Sequence, residues 1–133
     1  MVALALAASI ASATEVTFEN DVMAVLSKAG CNLGACHANT NGKGGFKLSL
    51  RGENPQFDYD ALARQHDGRR LNLMEPESSL MLQKPTSQLA HLGGKRFRSD
   101  SLEHEILLKW IAGRAPGPSD ATPKLVSLEV KPE

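Results

Sequence analysis

The two cysteines of this 133-residue chain stand in the run Cys31-Asn32-Leu33-Gly34-Ala35-Cys36-His37, with a histidine directly after the second thiol. Three chemistries compete for such a run: a disulfide, a metal site, or covalent attachment of a haem. A bridge across four intervening residues closes so small a loop that it constrains little of the unfolded chain, and it leaves His37 without a role. A structural zinc site takes four protein ligands, of which this run supplies three, with His66, His91 or His104 left to provide the fourth. Haem attachment uses all three residues at once: each thiol forms a thioether to a vinyl group, and the adjacent imidazole reaches the iron. The usual spacing in that chemistry is two residues, and here it is four, so Gly34 and Ala35 are expected to let a longer loop bulge away from the cofactor edge.

A chain of this length carries one ordinary core. Its 15 basic and 15 acidic residues cancel to a formal charge of +0, which argues against nucleic acid bound through bulk positive charge. Aromatic residues make up only 5% of the chain, so a core of Leu, Val and Ala must find bulk elsewhere, which a buried apolar cofactor would supply. The opening "MVALALAASIASA" is a short apolar run ending in Ala11-Ser12-Ala13, the small-x-small pattern accepted by a signal peptidase, although no Lys or Arg precedes it. Residues 1–13 are therefore expected to be an export signal that lacks the usual basic start, and the protein is expected in the periplasm or cell envelope. No other stretch resembles a transmembrane segment.

Helical spacing joins Phe18, Val22, Val25, Leu26 and Ala29, with Thr17 or Asn20 as cap and Gly30 as stop. A helix thus leads straight into Cys31. Residues 39–45 read as a loop, and "FKLSLR" alternates Phe46, Leu48 and Leu50 in the manner of a short strand or extended arm. A short helix is predicted in "DYDALARQHDG", starting at Asp58 or Asp60 and ending at Gly68, and another after Pro76 that carries Leu80, Met81 and Leu82. The last helix is predicted from Ser101 to Ala112, with Leu102, Ile106, Leu107, Trp110 and Ile111 as its apolar stripe. The expected fold is small and mainly α, with the first and last helices crossing and Trp110 packed against the first helix or the cofactor edge. Beyond Pro116, residues 117–133 read as a linker, "PGPSDATPK" in part, followed by the strand-like "LVSLEV".

Taken together, "FENDVMAVLSKAGCNLGACHANTNGKGGFKLSLRG", "GRRLN", "SLMLQKPTSQLAHLGGKRF" and "LLKWIAGRAP" resemble the cytochrome c module at the front of large exported planctomycete-type multidomain proteins. The four-residue spacing between the cysteines is itself a feature of that family. The resemblance runs from Phe18 to Pro116 and implies a cytochrome c-like helical domain, residues 14–116, wrapped around one covalently attached haem c. It implies that "LVSLEVKPE" opens a following immunoglobulin-like domain, and that the module hands electrons to a redox partner or to later domains of the same polypeptide.

For the face of the iron opposite His37, the chain offers Met74, Met81, His66, His91 and His104. His66 and His104 sit among charged neighbours and read as solvated, and Met81 lies in an apolar stretch that reads as core. His91 is preferred, with Met81 as the alternative, because Gly93 and Gly94 let the backbone approach a flat cofactor and His-Gly-Gly is an element of the family resembled. Among the basic residues of the loops, Arg69, Arg70 and Arg96 are the choices for pairing with haem carboxylates, since a guanidinium matches a carboxylate bidentately. An open distal position would instead make a haem enzyme or gas sensor, and bridged or zinc-bound thiols would make an interaction module without haem.

Overall fold

Thr17 starts the first helix. Its Oγ1 accepts from the Asn20 amide at 3.3 Å, while Asp21 reaches back to accept from the Thr17 amide at 2.7 Å and its hydroxyl at 2.9 Å. The structure, a computed structural model, describes residues 15–132, so the expected leader lies outside the described residues. The first turn, Phe18–Val22, is wound wide as a π-turn, with the Asp21 and Val22 amides both donating to the Thr17 carbonyl. It runs on without a break into α1, Met23–Lys28. Three more helices follow: α2, Pro55–Ala63; α3, Leu80–Gln83; and α4, Leu102–Ala112. Short 3₁₀ turns at Leu50–Gly52 and Pro76–Ser78 precede α2 and α3.

The molecule is mainly helical, and among the described residues it has no strand, only an isolated bridge between Lys43 and Phe46. The alternation read in Phe46, Leu48 and Leu50 holds as far as Leu48, which is fully buried, and fails at Leu50, which turns outward as the 3₁₀ turn begins. Helix α2 begins earlier than Asp58. Asn54 caps it through Oδ1 to the Phe57 amide at 3.0 Å, Pro55 takes the first helical position, and the helix stops at Ala63 rather than Gly68. Asp58 is not a cap but a buried residue of the helix.

Helix α4 has the predicted cap, Ser101, and ends at Gly113. Lys28 at the end of α1 forms an ion pair with Glu103 in the first turn of α4, fastening the two helices at one end. At the other end Trp110, 1% exposed, lies 5.5 Å from Phe18 between ring centres, and Tyr59 meets Phe18 edge-on at 5.4 Å. These three rings form one half of the core. Leu107, one turn before Trp110, faces the other half together with Val25, Leu26 and Leu62, and there the elements splay apart into a cleft.

The stretch after Ala115 is strapped to the domain through Pro123. Trp110 Nε1 donates to the Pro116 carbonyl at 2.9 Å, the Ser119 amide to Glu19 at 2.7 Å, and Asn20 to the Pro123 carbonyl at 2.8 Å. Leu125, Val126, Leu128 and Val130 are exposed and belong to no strand, since no ladder partner stands beside them among the described residues. No helix among the described residues is long and apolar enough to cross a membrane.

Candidate functional site

Helix α1 ends in a paired turn: the Gly30 amide donates to Ser27 at 3.0 Å and the Cys31 amide to Leu26 at 2.9 Å. Gly30 takes φ +74°, the left-handed conformation this closure needs. The chain thereby leaves the helix with Cys31 at once at the wall of the cleft. The loop to His37 is sealed by the His37 amide donating to the Cys31 carbonyl at 3.0 Å, and the His37 carbonyl accepts from Leu48 at 2.9 Å. Leu33, Gly34 and Ala35 face outward, so the longer loop does bulge away from the cleft. A side chain at Gly34 would meet nothing within 4 Å, so smallness there is not what the loop requires.

The cleft has a volume of about 530 Å³, and Cys31, Cys36, His37, Arg69, Arg70, Met81, His91 and Arg96 all line it. Every residue preferred in the sequence for this site, together with the alternative Met81, is thus brought to one cavity. Its size falls in the range of about 300–1,000 Å³ that cofactors and drug-sized ligands occupy.

The rings of His37 and His91 are 6.3 Å apart between centres and inclined by only 15°. His37 Nδ1 lies 3.0 Å from the Phe46 carbonyl and His91 Nδ1 lies 2.8 Å from the Gly94 carbonyl. A carbonyl only accepts, so each Nδ1 carries a proton, and in the neutral ring Nε2 is then the nitrogen with the free lone pair. Metal-binding histidines are commonly held this way, by a backbone acceptor that fixes ring and tautomer. Burial pushes the His37 pKa down, against the Phe46 hydrogen bond that raises it, so the neutral, ligating form is favoured.

A Cβ on Gly93 would stand 2.9 Å from His91 Cε1, so Gly93, which lines the cleft, makes room for the imidazole. The Gly94 amide closes the turn on the His91 carbonyl at 2.9 Å.

The three arginines divide. Arg70 is only 8% exposed; it donates to the Ala61 carbonyl at 2.8 Å and the Gly45 carbonyl at 3.0 Å, with its guanidinium 4.6 Å over Phe46. Arg96 donates from Nε to the Ala29 carbonyl at 2.7 Å and from Nη1 to the Gly93 carbonyl at 3.3 Å. Both are engaged in holding backbone. Arg69 is exposed at the cleft and makes no side-chain hydrogen bond among the described residues, which leaves it available to a carboxylate. Lys43 is likewise exposed at the cleft with no side-chain hydrogen bond among the described residues, and nothing in the sequence separates it from other surface lysines.

Met81 is buried in the cleft wall, whereas Met74 is 88% exposed and lies outside it. His104, read as solvated, is buried in the first turn of α4, and His66 is exposed; neither lines the cleft. Cys31 and Cys36 are free thiols, and burial pushes Cys31 up to about 11 despite the opposing charge of Arg96.

Two imidazoles binding one metal through Nε2 need about 2.0–2.1 Å on each side, plus about 1.2 Å from each nitrogen to its ring centre, roughly 6.5 Å in all. The ring centres, 6.3 Å apart, stand close to that separation. No cluster of three or more His, Cys, Asp or Glu side chains able to hold a bare ion exists among the described residues. The donors the cleft brings together, two thiols and two imidazoles, are ones that a haem would use. Comparison with protein-family models, with curated proteins and with solved structures gives no match.

Proposed function

We propose that residues 14–116 form a monohaem c-type cytochrome domain for electron transfer. Cys31 and Cys36 would carry the haem c as thioethers, His37 would be its proximal ligand, and His91 would close the opposite face. One observation carries the reading: two near-parallel imidazoles 6.3 Å apart, each with Nδ1 held by a backbone carbonyl, in one cleft with both thiols. The bound haem would supply one-electron chemistry.

The chain's own residues do the rest. Phe46 and Gly94 hold the two imidazoles by their Nδ1 protons, Leu26, Leu62 and Leu107 keep water from the cleft floor, and Arg69 offers its guanidinium to a carboxylate at the rim. With His37 and His91 both holding the group, small gases would be excluded and the module would serve to pass electrons to a redox partner or to later domains of the polypeptide. Two imidazoles set a lower potential than a His and Met pair. Export to the periplasm or cell envelope is part of the proposal and rests on the sequence alone.

His91→Ala tests it. The variant is expected to turn high-spin and, once reduced, to bind carbon monoxide readily, while the unmodified protein stays low-spin and binds it poorly. Avid binding by the unmodified protein would favour an open haem enzyme or gas sensor. A low-spin variant with a Met-to-iron charge-transfer band would assign the distal position to Met81, which is buried in the same cleft.

A further inference from the structure

The two halves of the site belong to segments far apart in the chain. Cys31 and His37 follow α1, and His91 sits on a turn between α3 and α4. Among the described residues, the bond from Arg96 Nε to the Ala29 carbonyl, 2.7 Å, is the only hydrogen bond joining residues 29–37 to residues 85–97. The same guanidinium donates through Nη1 to the Gly93 carbonyl at 3.3 Å, inside the turn that presents His91. Its backbone is fixed as well, the Arg96 amide donating to the Pro85 carbonyl at 2.7 Å.

Gly30 completes the arrangement. A Cβ there would stand 2.7 Å from Arg96 Nη2, so the guanidinium lies in the space that the missing side chain leaves. A planar fork with five donors can bond two carbonyls on opposite sides at once, which the single ammonium of a lysine cannot do in the same geometry.

We infer that Arg96 is a positioning residue that clasps the end of α1 to the His91 turn, and so holds the second imidazole at its spacing from the first. This inference rests on the haem reading of the site. Arg96 does not ligate; it acts through Gly93 and the turn on His91. Without the clasp, the turn loses its tie to the wall that carries Cys31, its bond from the Gly94 amide to the His91 carbonyl opens more often, and His91 spends more time away from its partner ring.

The test compares the unmodified protein with Arg96→Gln, Arg96→Lys and Gly30→Ala, made in a host with haem-attachment machinery. Arg98→Gln serves as control, because Arg98 pairs only with exposed Asp100. Carbon monoxide association with the reduced proteins and the high-spin fraction are read beside thermal unfolding. Arg96→Gln is expected to bind carbon monoxide about tenfold faster or more, the scale of one lost charge-assisted hydrogen bond. Arg96→Lys and Gly30→Ala should fall between it and the unmodified protein, and Arg98→Gln should match the unmodified protein.

Carbon monoxide kinetics and spin state unchanged in Arg96→Gln, with the fold retained, would overturn the clasp. If that variant fails to fold, Arg96→Lys and Gly30→Ala decide by the same criterion. Should the unmodified protein carry no haem, the proposed function falls, and the clasp is then judged by hydrogen exchange at the Gly94 amide. Faster exchange in Arg96→Gln upholds it, and equal exchange refutes it.

Discussion

A methyl group on Gly93 would press on the His91 ring, 2.9 Å from Cε1 and 3.2 Å from Nε2. Gly93 has no positive φ and the ring atoms of His91 are what its Cβ would meet, so the clash is local to the imidazole. Gly93→Ala is expected to raise the high-spin fraction of the haem protein while changing its unfolding free energy by less than about 1 kcal/mol. An unchanged spectrum would mean that the ring has room to shift without losing its axial role. The residues of the site differ in how readable they were. Cys31, Cys36 and His37 are contiguous in the chain, so their grouping needs no folding to be seen, and His91 announces itself by the glycines beside it. The roles of Arg70 and Arg96 were not legible, because their acceptors are backbone carbonyls of remote segments, Gly45 and Ala61 for one and Ala29 for the other. No residue type in the sequence marks a carbonyl as an acceptor.

Helix α2 is tied to the extended segment before it by Asp58, whose carboxylate accepts from the Ser49 amide at 2.5 Å and the Ser49 hydroxyl at 2.7 Å. Burial pushes the Asp58 carboxyl above its ordinary value of 3.8, more strongly than the two Ser49 bonds pull it down. A carboxyl with a raised folded-state pKa holds more protons folded than unfolded, so its contribution to stability falls as pH rises through that interval. Asp58→Asn, which does not titrate, is therefore expected to gain on the unmodified protein as pH rises from about 3.5 to 7 in denaturant titrations. A gap that widens in favour of the unmodified protein over the same range would show that the hydrogen bonds outweigh burial. At this scale the sequence located the helices by their apolar spacing and missed where α2 begins, because Asp58 looks like a cap until its burial is known. Asn54-Pro55 held the true signal.

Across the whole molecule the core is divided between an aromatic cluster of Phe18, Tyr59 and Trp110 and the leucine-lined cleft at Leu107, one turn back along α4. Trp110→Ala is expected to cost about 3–5 kcal/mol by chemical denaturation, since it opens a cavity between the first and last helices and strands the Pro116 carbonyl. A loss below about 1 kcal/mol would mean that the cleft, and not this cluster, holds the helices together. The mainly helical fold and the contact of Trp110 with the first helix were legible from periodicity. The strap from Ala115 to Pro123 was not, because its bonds to Glu19 and Asn20 join positions about a hundred residues apart. The central claim is a haem bound covalently through Cys31 and Cys36, and it is tested most directly by haem staining and intact mass of the denatured protein from a host that attaches haem. The expected result is a stained band and a mass raised by one haem, both abolished in Cys31→Ser/Cys36→Ser. A colourless band, or haem that leaves in acid-acetone, would contradict it.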